Sequence, residues 1–428
     1  MDTTQTHRSP DSTMHAAAST TVEGMALDDR WHAQSAHTDA RAATRGDVVG
    51  PSARGRTRYP RYFSRAAGAY LWDLDGRRYV DFNLGYGPVI LGHADERVTE
   101  AVLAELRNGN CIAPLWSRRQ SELTDLLTSV VPGAEMAYLL KTGSDATSTA
   151  VRLSRIFTGR DKVIRWGYNG WHDWAAGIPA GIPAATRADT LLFDYDNLNT
   201  LRDAFARHPG QVACVLMMPF GDETAPEGHL QKIRDTAHEH GALFVLDEMR
   251  SGFRLSLSGA QGLLGVQADV STFSKAMANG HPISAVVGRA DVLSCLRRTR
   301  ISSTYYADPA PMAAALATIQ ILRDTDASER IWEVGAAFQV GLAALVDRHR
   351  VPARVVGYAP MPFLQFTHPD PAVREQMSTA FAAGAAQHGV LLHPSHQWFL
   401  SAAHTREDID FALNGCDQAL AVLAAQVA

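Results

Sequence analysis

Short apolar runs alternate with helix-like stretches between residues 95 and 300, and this alternation limits the possible folds more than any other feature. The apolar runs include residues 213–218, 243–246 and 283–287. Strands that alternate with helices form a mostly parallel sheet covered by helices on both faces. The sequence therefore predicts an α/β fold built on such a sheet.

The segments on either side of this region have a different pattern. A hairpin is predicted from residue 68, with Asp75-Gly76 as its turn. The part after about residue 325 is rich in helix-like sequence and contains short apolar runs at 361–366 and 390–393, which predict strands.

The length of 428 residues is enough for two domains. We expect a large domain of residues 95–324 and a small α+β domain formed by residues 58–94 and 325–428. Residues 1–57 are rich in Ser, Thr, Ala and His with little apolar periodicity. We expect them to be a flexible N-terminal arm, partly ordered by packing on a partner subunit.

Charge and cysteine content argue against several classes of protein. The formal net charge is −5 and the arginines are scattered, so a nucleic-acid partner is not expected. No apolar run reaches the roughly 20 residues that span a bilayer. The cysteines show no metal-ligand spacing, which is typical of reduced thiols in a cytoplasmic protein without a metal site. They are Cys111, Cys214, Cys295 and Cys416.

One of only four lysines, Lys275, lies among small residues at 274–280. An apolar strand-like run ends 28 residues earlier on Asp247. A lysine that forms Schiff bases and a carboxylate that pairs with a pyridinium nitrogen are two groups that pyridoxal phosphate (PLP) requires. Taken alone, this spacing is better explained as a chance surface pair, because short matches have many false positives.

Residues 136–157 have the pattern of a strand, a tight turn and a helix. Gly143 allows a close backbone approach, and Ser144 offers a hydroxyl and an N–H group to phosphate oxygens. A phosphate site at a helix N-terminus is one interpretation. An ordinary capped helix after a strand is the other.

Three tryptophans and one tyrosine occur within residues 166–174, together with two glycines. Aromatic side chains at this density either fill a core or present flat faces to a planar ligand. We expect a core position for the tryptophans. Tyr168, between Gly167 and Asn169, is the better candidate for stacking on a pyridine ring.

Together these segments resemble those of the class III PLP-dependent aminotransferases, especially the glutamate-1-semialdehyde aminomutase-like branch. That branch includes enzymes that put amino groups on sugars and aminoglycosides. The resemblance covers the chain from about residue 59 and implies PLP fold type I, with a seven-stranded sheet. The motifs that carry it are residues 68–82, 91–93, 143–147, 168–174, 246–254, 274–282 and 302–305.

The resemblance implies how the cofactor ring would be held. Lys275 would form the Schiff base with PLP and later move the proton between the substrate carbon and the cofactor. Asp247 would bind the pyridine nitrogen and keep it protonated. Met249 would pack on one face of the ring, and Tyr168 would stack on the other.

The resemblance also implies how the phosphate would be held. Gly143 and Ser144 would bind it within one subunit, and Thr304 would reach it from the neighbouring subunit. The expected active unit is therefore a homodimer, at least, with shared active sites.

The chain departs from the family pattern where many members that use glutamate carry a Glu-Pro pair. This chain has Met218-Pro219 instead. The missing carboxylate either removes a glutamate-specific switch or reflects repacking of the core, and the sequence leaves both open. Asn169 replaces a common histidine, and the sequence offers no physical reason for that change.

Two further departures bear on proton transfer. Cys111 lies in a segment that covers the active site in the aminomutase-like branch, where its thiol is either a second acid opposite Lys275 or a small filler. Tyr306 adds a phenol near the pocket mouth, or packs in the dimer contact.

The expected function is a PLP-dependent aminotransferase that interconverts an amine and a carbonyl on an amino sugar in secondary metabolism. The alternative is a PLP-dependent epimerase or isomerase of the same substrate class, which would need a second acid such as Cys111 or Tyr306. A non-catalytic protein of this fold is a third hypothesis, and retention of Lys275 and Asp247 argues against it.

Overall fold

The predicted parallel sheet lies at the centre of the computed structural model, which describes residues 27–35, 38–40 and 59–427. The strands are β1 (Phe63–Ala67), β2 (Tyr70–Asp73), β3 (Arg78–Asp81), β4 (Met136–Leu140), β5 (Lys162–Trp166), β6 (Thr190–Leu192), β7 (Val212–Met217), β8 (Leu243–Asp247), β9 (Val270–Phe273), β10 (Ser284–Gly288), β11 (Ala353–Val356), β12 (Phe363–Phe366) and β13 (Val390–Leu391).

Helices follow most of these strands, as the alternating pattern predicts. They are α1 (Leu27–Ser35), α2 (Glu96–Leu106), α3 (Arg118–Val130), α4 (Gly143–Thr158), α5 (Ala184–Arg187), α6 (Leu198–Arg207), α7 (His229–Glu239), α8 (Ala260–Leu264), α9 (Ala290–Leu293), α10 (Ala310–Asp324), α11 (Ala327–His349), α12 (Pro371–Gln387) and α13 (Arg406–Val427). Among the residues that the structure describes, none of these helices combines the length and apolarity needed to cross a bilayer.

The central sheet has seven strands in the order β4-β10-β9-β8-β7-β5-β6. Strand β10 runs antiparallel to β4 and β9, and the other neighbouring pairs are parallel. Every residue of β7 and β8 is buried. The prediction of a mostly parallel sheet covered on both faces is therefore confirmed.

Alternate residues of the central strands pack into two different apolar clusters. Val215 of β7 and Phe244 of β8 belong to one cluster, whereas Cys214 and Val245 belong to the other. Because successive side chains of a strand point to opposite faces, the sheet lies between these two clusters. Because strands β5, β7, β8 and β9 run in the same direction, their carboxyl ends lie at one edge of the sheet.

A second sheet joins the two ends of the chain. Its order is β1-β2-β3-β13, and β13 pairs in parallel with β3 through Val390 opposite Val80. The predicted hairpin at Asp75-Gly76 connects β2 and β3. The shared sheet supports the proposed small domain, whose boundaries at residues 94 and 324 stay a prediction.

Most of the predicted N-terminal arm lies outside the described residues. Its described part includes α1, where Asp28 Oδ2 accepts a hydrogen bond from Arg61 Nε of the same chain at 2.5 Å.

A buried arginine ties the N-terminal and C-terminal segments together. Arg254 donates to the carbonyl oxygens of Gly87 at 2.5 Å and Leu400 at 2.7 Å. Its guanidinium carbon lies 4.9 Å from the ring centre of Phe399, and burial lowers its pKa to about 9. These contacts hold both segments beside the edge where the parallel strands end.

Candidate active site

The two residues of the Asp-Lys pair come together at the carboxyl edge of the central sheet. Asp247 ends β8, and Lys275 follows the neighbouring parallel strand β9 after one intervening residue. Burial lowers the pKa of Lys275 to about 8. The positive charge of Arg250 also lowers this pKa, whereas the negative charge of Asp247 raises it. A large fraction of this amine is therefore neutral near pH 8, which makes it nucleophilic.

The backbone at Lys275 adopts an unusual conformation. Its φ is 37°, in the left-handed region that costs a residue with a Cβ roughly 1–3 kcal/mol. A short 3-10 turn, Lys275–Ala278, begins there. Such strain persists only where the surrounding structure enforces it, and here it fixes the position of the amine.

The Asp247 carboxylate is buried and held by two donors. Oδ2 accepts from Asn169 Nδ2 at 2.9 Å, and Oδ1 accepts from the Met249 N–H at 3.1 Å. Burial raises the pKa of Asp247 to about 6, although these hydrogen bonds and the charge of Lys275 act in the opposite direction. A carboxylate in this environment is poised to pair with a cationic ring nitrogen.

Asn169, whose replacement of a histidine the sequence left unexplained, contacts Asp247 directly. The side chain is 1% exposed, and its backbone carbonyl accepts from Thr147 Oγ1 at 2.7 Å. Thr147 lies in α4, so this hydrogen bond fixes the loop that carries Asn169 to the helix. The substitution of asparagine for the family's histidine places an amide donor directly on Asp247.

The turn before α4 leaves two backbone donors unused. Thr142 Oγ1 accepts from the Asp145 N–H at 3.2 Å, and Asp145 Oδ2 accepts from the Thr142 N–H at 2.9 Å. This capping box leaves the N–H groups of Gly143 and Ser144 without a hydrogen-bond partner among the described residues. Two free amides at a helix N-terminus form a phosphate-binding arrangement.

Close packing at this turn explains its small residues. A Cβ added at Gly143 would lie 2.9 Å from Met249 Sδ, and one at Gly170 would lie 2.5 Å from Ser144 Oγ. Ser144 Oγ also accepts from the Trp171 N–H at 3.2 Å. The turn before α4, the aromatic loop and Met249, two residues after Asp247, therefore lie in contact with one another.

The aromatic loop divides its rings between core and surface. Trp174 donates through Nε1 to Ser148 Oγ at 2.8 Å, and Trp166 stacks on Tyr195 at 4.3 Å between ring centres. The prediction of a core position is confirmed for these two tryptophans and wrong for Trp171, which is 70% exposed. Tyr168 is 68% exposed, so its ring is free to contact a ligand.

The remaining predicted site residues are Thr304, Tyr306 and Cys111. Thr304 is exposed in the 3-10 turn Thr304–Ala307. Tyr306 packs against an apolar cluster, and burial raises its pKa to about 12, so its phenol stays protonated at neutral pH.

Cys111 is exposed, which is contrary to its interpretation as a small filler. Its charged neighbour is Lys141, whose Nζ lies 3.6 Å from Asp308 Oδ2. Burial lowers the pKa of Lys141, and the charges of Asp308 and then Cys111 raise it. A role for Cys111 as an acid opposite Lys275 stays a prediction.

The family model for class-III aminotransferases matches residues 52–420. The chain is a class III aminotransferase.

Curated relatives of this aminotransferase include a 3-aminobutyryl-CoA aminotransferase from Cloacimonas acidaminovorans, 34% identical over 85% of this chain and 89% of the relative. A 2'-deamino-2'-hydroxyneamine transaminase from Streptomyces kanamyceticus is 34% identical over 82% of this chain and 88% of the relative. Among solved structures, the PLP internal aldimine form of the FumI protein of Sphingopyxis sp. MTA144 has a TM-score of 0.87 and 31% identity. That match covers 94% of this chain and 98% of the other.

The fold is therefore PLP fold type I, and the enzyme is a PLP-dependent aminotransferase. The residues present fit the cofactor on three counts. A buried acceptor, Asp247, suits a protonated ring nitrogen; the free amides of Gly143 and Ser144 suit a phosphate; and Lys275 supplies an amine with a lowered pKa.

Replacing Asn169 with Ala should weaken PLP binding. The variant removes a donor to a buried carboxylate, and a hydrogen bond to a charged group contributes about 1.5–3 kcal/mol, or roughly 10–100-fold in affinity. Titration of the apoenzyme with PLP, followed by absorbance, measures this change. The control is Asn199→Ala, which alters an exposed asparagine of α6 and should leave the affinity unchanged. Equal affinities in the two variants would show that Asn169 does not support Asp247.

Proposed function

We propose that this aminotransferase acts on the amine of an amino sugar of aminoglycoside type, in secondary metabolism, and belongs to the aminomutase-like branch. The relative from Streptomyces kanamyceticus supports this substrate class. Met218 is the observation within this chain that supports it. Its Cε lies 2.5 Å from a Cβ added at Gly167, so an apolar side chain borders the loop before Tyr168, where a glutamate would serve a glutamate-specific switch.

Lys275 is the proposed catalytic residue. It would hold the cofactor. Once released by the incoming amine, it would take a proton from the substrate carbon and transfer that proton to the cofactor. The cofactor, when bound, supplies an aldehyde that reacts with amines and a ring that withdraws electrons from the substrate carbon. Burial and the nearby Arg250 lower the pKa of the Lys275 amine to about 8, so the amine is neutral often enough at neutral pH to take a proton.

The other predicted residues would hold the cofactor in place. Asp247, oriented by Asn169, would bind the ring nitrogen, and the two amides of Gly143 and Ser144 would bind the phosphate. Met249 would contact one face of the ring. Tyr168 would cover the other face, which its exposure permits.

The half-reaction with an amino sugar tests this function directly. The enzyme loaded with PLP should convert neamine to its carbonyl product without a keto acid, releasing one equivalent per site and leaving pyridoxamine phosphate. In deuterated water, Lys275→Ala should slow this conversion by about 10²–10⁴-fold, the usual contribution of a general acid-base group. Mass spectrometry and NMR of the products measure both quantities.

The matched control is Lys232→Ala, which removes an exposed lysine of α7 and should leave the rate unchanged. Deuterium at the amine-bearing carbon, with the amine retained and the configuration at that carbon inverted or scrambled, would contradict transamination. That outcome would favour the epimerase alternative and direct attention to Cys111 and Tyr306 as the second acid.

We propose that the active unit is a homodimer in which Thr304 completes the partner's phosphate site. Several large apolar side chains are exposed in this single chain, as expected of a surface covered by a partner. These are Leu115, Trp116, Trp171, Ile178 and Tyr305. Four free cysteines support a reducing, cytoplasmic location.

Mixing two inactive variants tests the shared site. Lys275→Ala removes the amine from one subunit, and Thr304→Glu places a negative charge against the phosphate of the other. Random re-association should restore about a quarter of the wild-type activity, since half of the dimers are hybrids with one intact site. Mixing Lys275→Ala with Asp247→Ala is the control, because both residues lie in one subunit's site. Activity no higher than this control would contradict the proposal.

A further inference from the structure

Three aromatic rings from two distant segments form a cluster beside the site. Tyr86 lies 5.4 Å from His393 and 5.1 Å from His396, between ring centres, and the two histidines are 5.8 Å apart. We call these three residues the histidine cluster. His396 also lies 5.6 Å from Phe399.

The cluster is fixed to the segment that carries Asp247. Arg250, three residues after Asp247, donates to Gln397 Oε1 at 2.6 Å. Its other terminal nitrogen donates to the carbonyls of Phe220 at 2.8 Å and Gly221 at 3.2 Å. The loop of residues 393–397 is thereby held at the edge of the sheet where Lys275 lies. In agreement, the charges of Lys275 and Arg250 both act to lower the pKa of His396, after burial, which is the largest cause.

Hydrogen bonds define which nitrogen of each histidine carries a proton. His396 Nδ1 lies 2.9 Å from the Gln397 carbonyl, which only accepts, so Nδ1 is the protonated nitrogen. His396 Nε2 is then a bare acceptor, and no described residue donates to it. His393 Nδ1 accepts from the Ser395 N–H at 3.1 Å, so Nε2 carries its proton.

The proton on His393 Nε2 faces the Tyr86 hydroxyl at 3.4 Å, which leaves the phenol proton available as a donor. Tyr86 is 44% exposed, with a φ of 67° that a residue with a Cβ seldom adopts. Burial lowers the pKa of both histidines to about 4, so both rings are neutral at pH 7. The cluster therefore offers an uncharged acceptor at His396 and an uncharged donor at Tyr86.

From this geometry we infer that Tyr86, His393 and His396 form the subsite that binds the non-reacting part of the substrate, and that this subsite selects hydroxyl and ammonium groups over a carboxylate. The inference deepens the proposed function and rests on it for the amino-sugar class. A bare imidazole nitrogen accepts from a hydroxyl or an ammonium group and repels a carboxylate oxygen. Arg250, the nearby cation, already donates three hydrogen bonds to protein oxygens. His396 and Tyr86 are thus specificity-determining residues.

The test compares two amines that differ by one hydroxyl, trans-2-aminocyclohexanol and cyclohexylamine, alongside neamine. In the wild type, kcat/KM should favour the hydroxylated amine. His396→Phe should reduce that preference, and kcat/KM for neamine, by about tenfold, the contribution of a neutral hydrogen bond at the upper end of its range. The loss should lie mainly in KM, since the reacting groups are untouched.

Conservative variants separate hydrogen bonding from packing. His396→Gln keeps an acceptor and should restore most of the preference, whereas Tyr86→Phe removes only the donor and should lose part of it. His240→Phe is the control, because His240 is exposed and stacks on Phe205. This variant should behave as the wild type.

The subsite proposal is contradicted if His396→Phe leaves the ratio of kcat/KM for the two cyclic amines unchanged, whether both values fall equally or neither falls. The proposed function is contradicted separately if the wild type prefers the hydroxylated amine but does not convert neamine. In that case the subsite inference still holds, and the substrate is a different hydroxylated amine.

Discussion

The buried carboxylate of Asp247 is the interaction on which the rest of the site depends. Its pKa rises from 3.8 to about 6, which corresponds to roughly 3 kcal/mol of disfavoured ionisation at about 1.4 kcal/mol per unit. A cationic ring nitrogen beside it would remove that penalty, so the cofactor and the carboxylate stabilise each other's charged forms. The amide of Asn169 acts in the same direction before the cofactor arrives.

The parallel sheet makes this interaction possible. Because β8 and β9 are neighbours that run in the same direction, Asp247 and Lys275 reach one edge from positions 28 residues apart. The helix α4 brings its two free amides to the same edge, and contacts as close as those of Gly143 and Gly170 leave no room for larger residues. Arg250 and Arg254 then attach the C-terminal segment, which adds the histidine cluster to the site.

The sequence predicted what depends on local pattern and missed what depends on long-range contacts. Apolar alternation was sufficient for β7, β8 and the helices around them, and the motifs at 143–147 and 274–282 directed attention to the start of α4 and to the residues that follow β9. The partner of Asn169 lies 78 residues away, and no spacing reveals such a contact. The histidine cluster joins residues 307 positions apart, and its proton positions follow from hydrogen bonds that only the three-dimensional structure supplies. Trp171 was misjudged because aromatic density does not tell which ring faces outward.

Reduction of the PLP-loaded enzyme with borohydride, followed by peptide mass mapping, tests the central claim most directly. The chain has only four lysines, at positions 141, 162, 232 and 275, so each possible attachment site is resolved. The lowered pKa and the position of Lys275 beside Asp247 predict a pyridoxyl label on Lys275 alone. A label on Lys141, the other lysine whose pKa burial lowers, or a distribution over all four, would contradict the account.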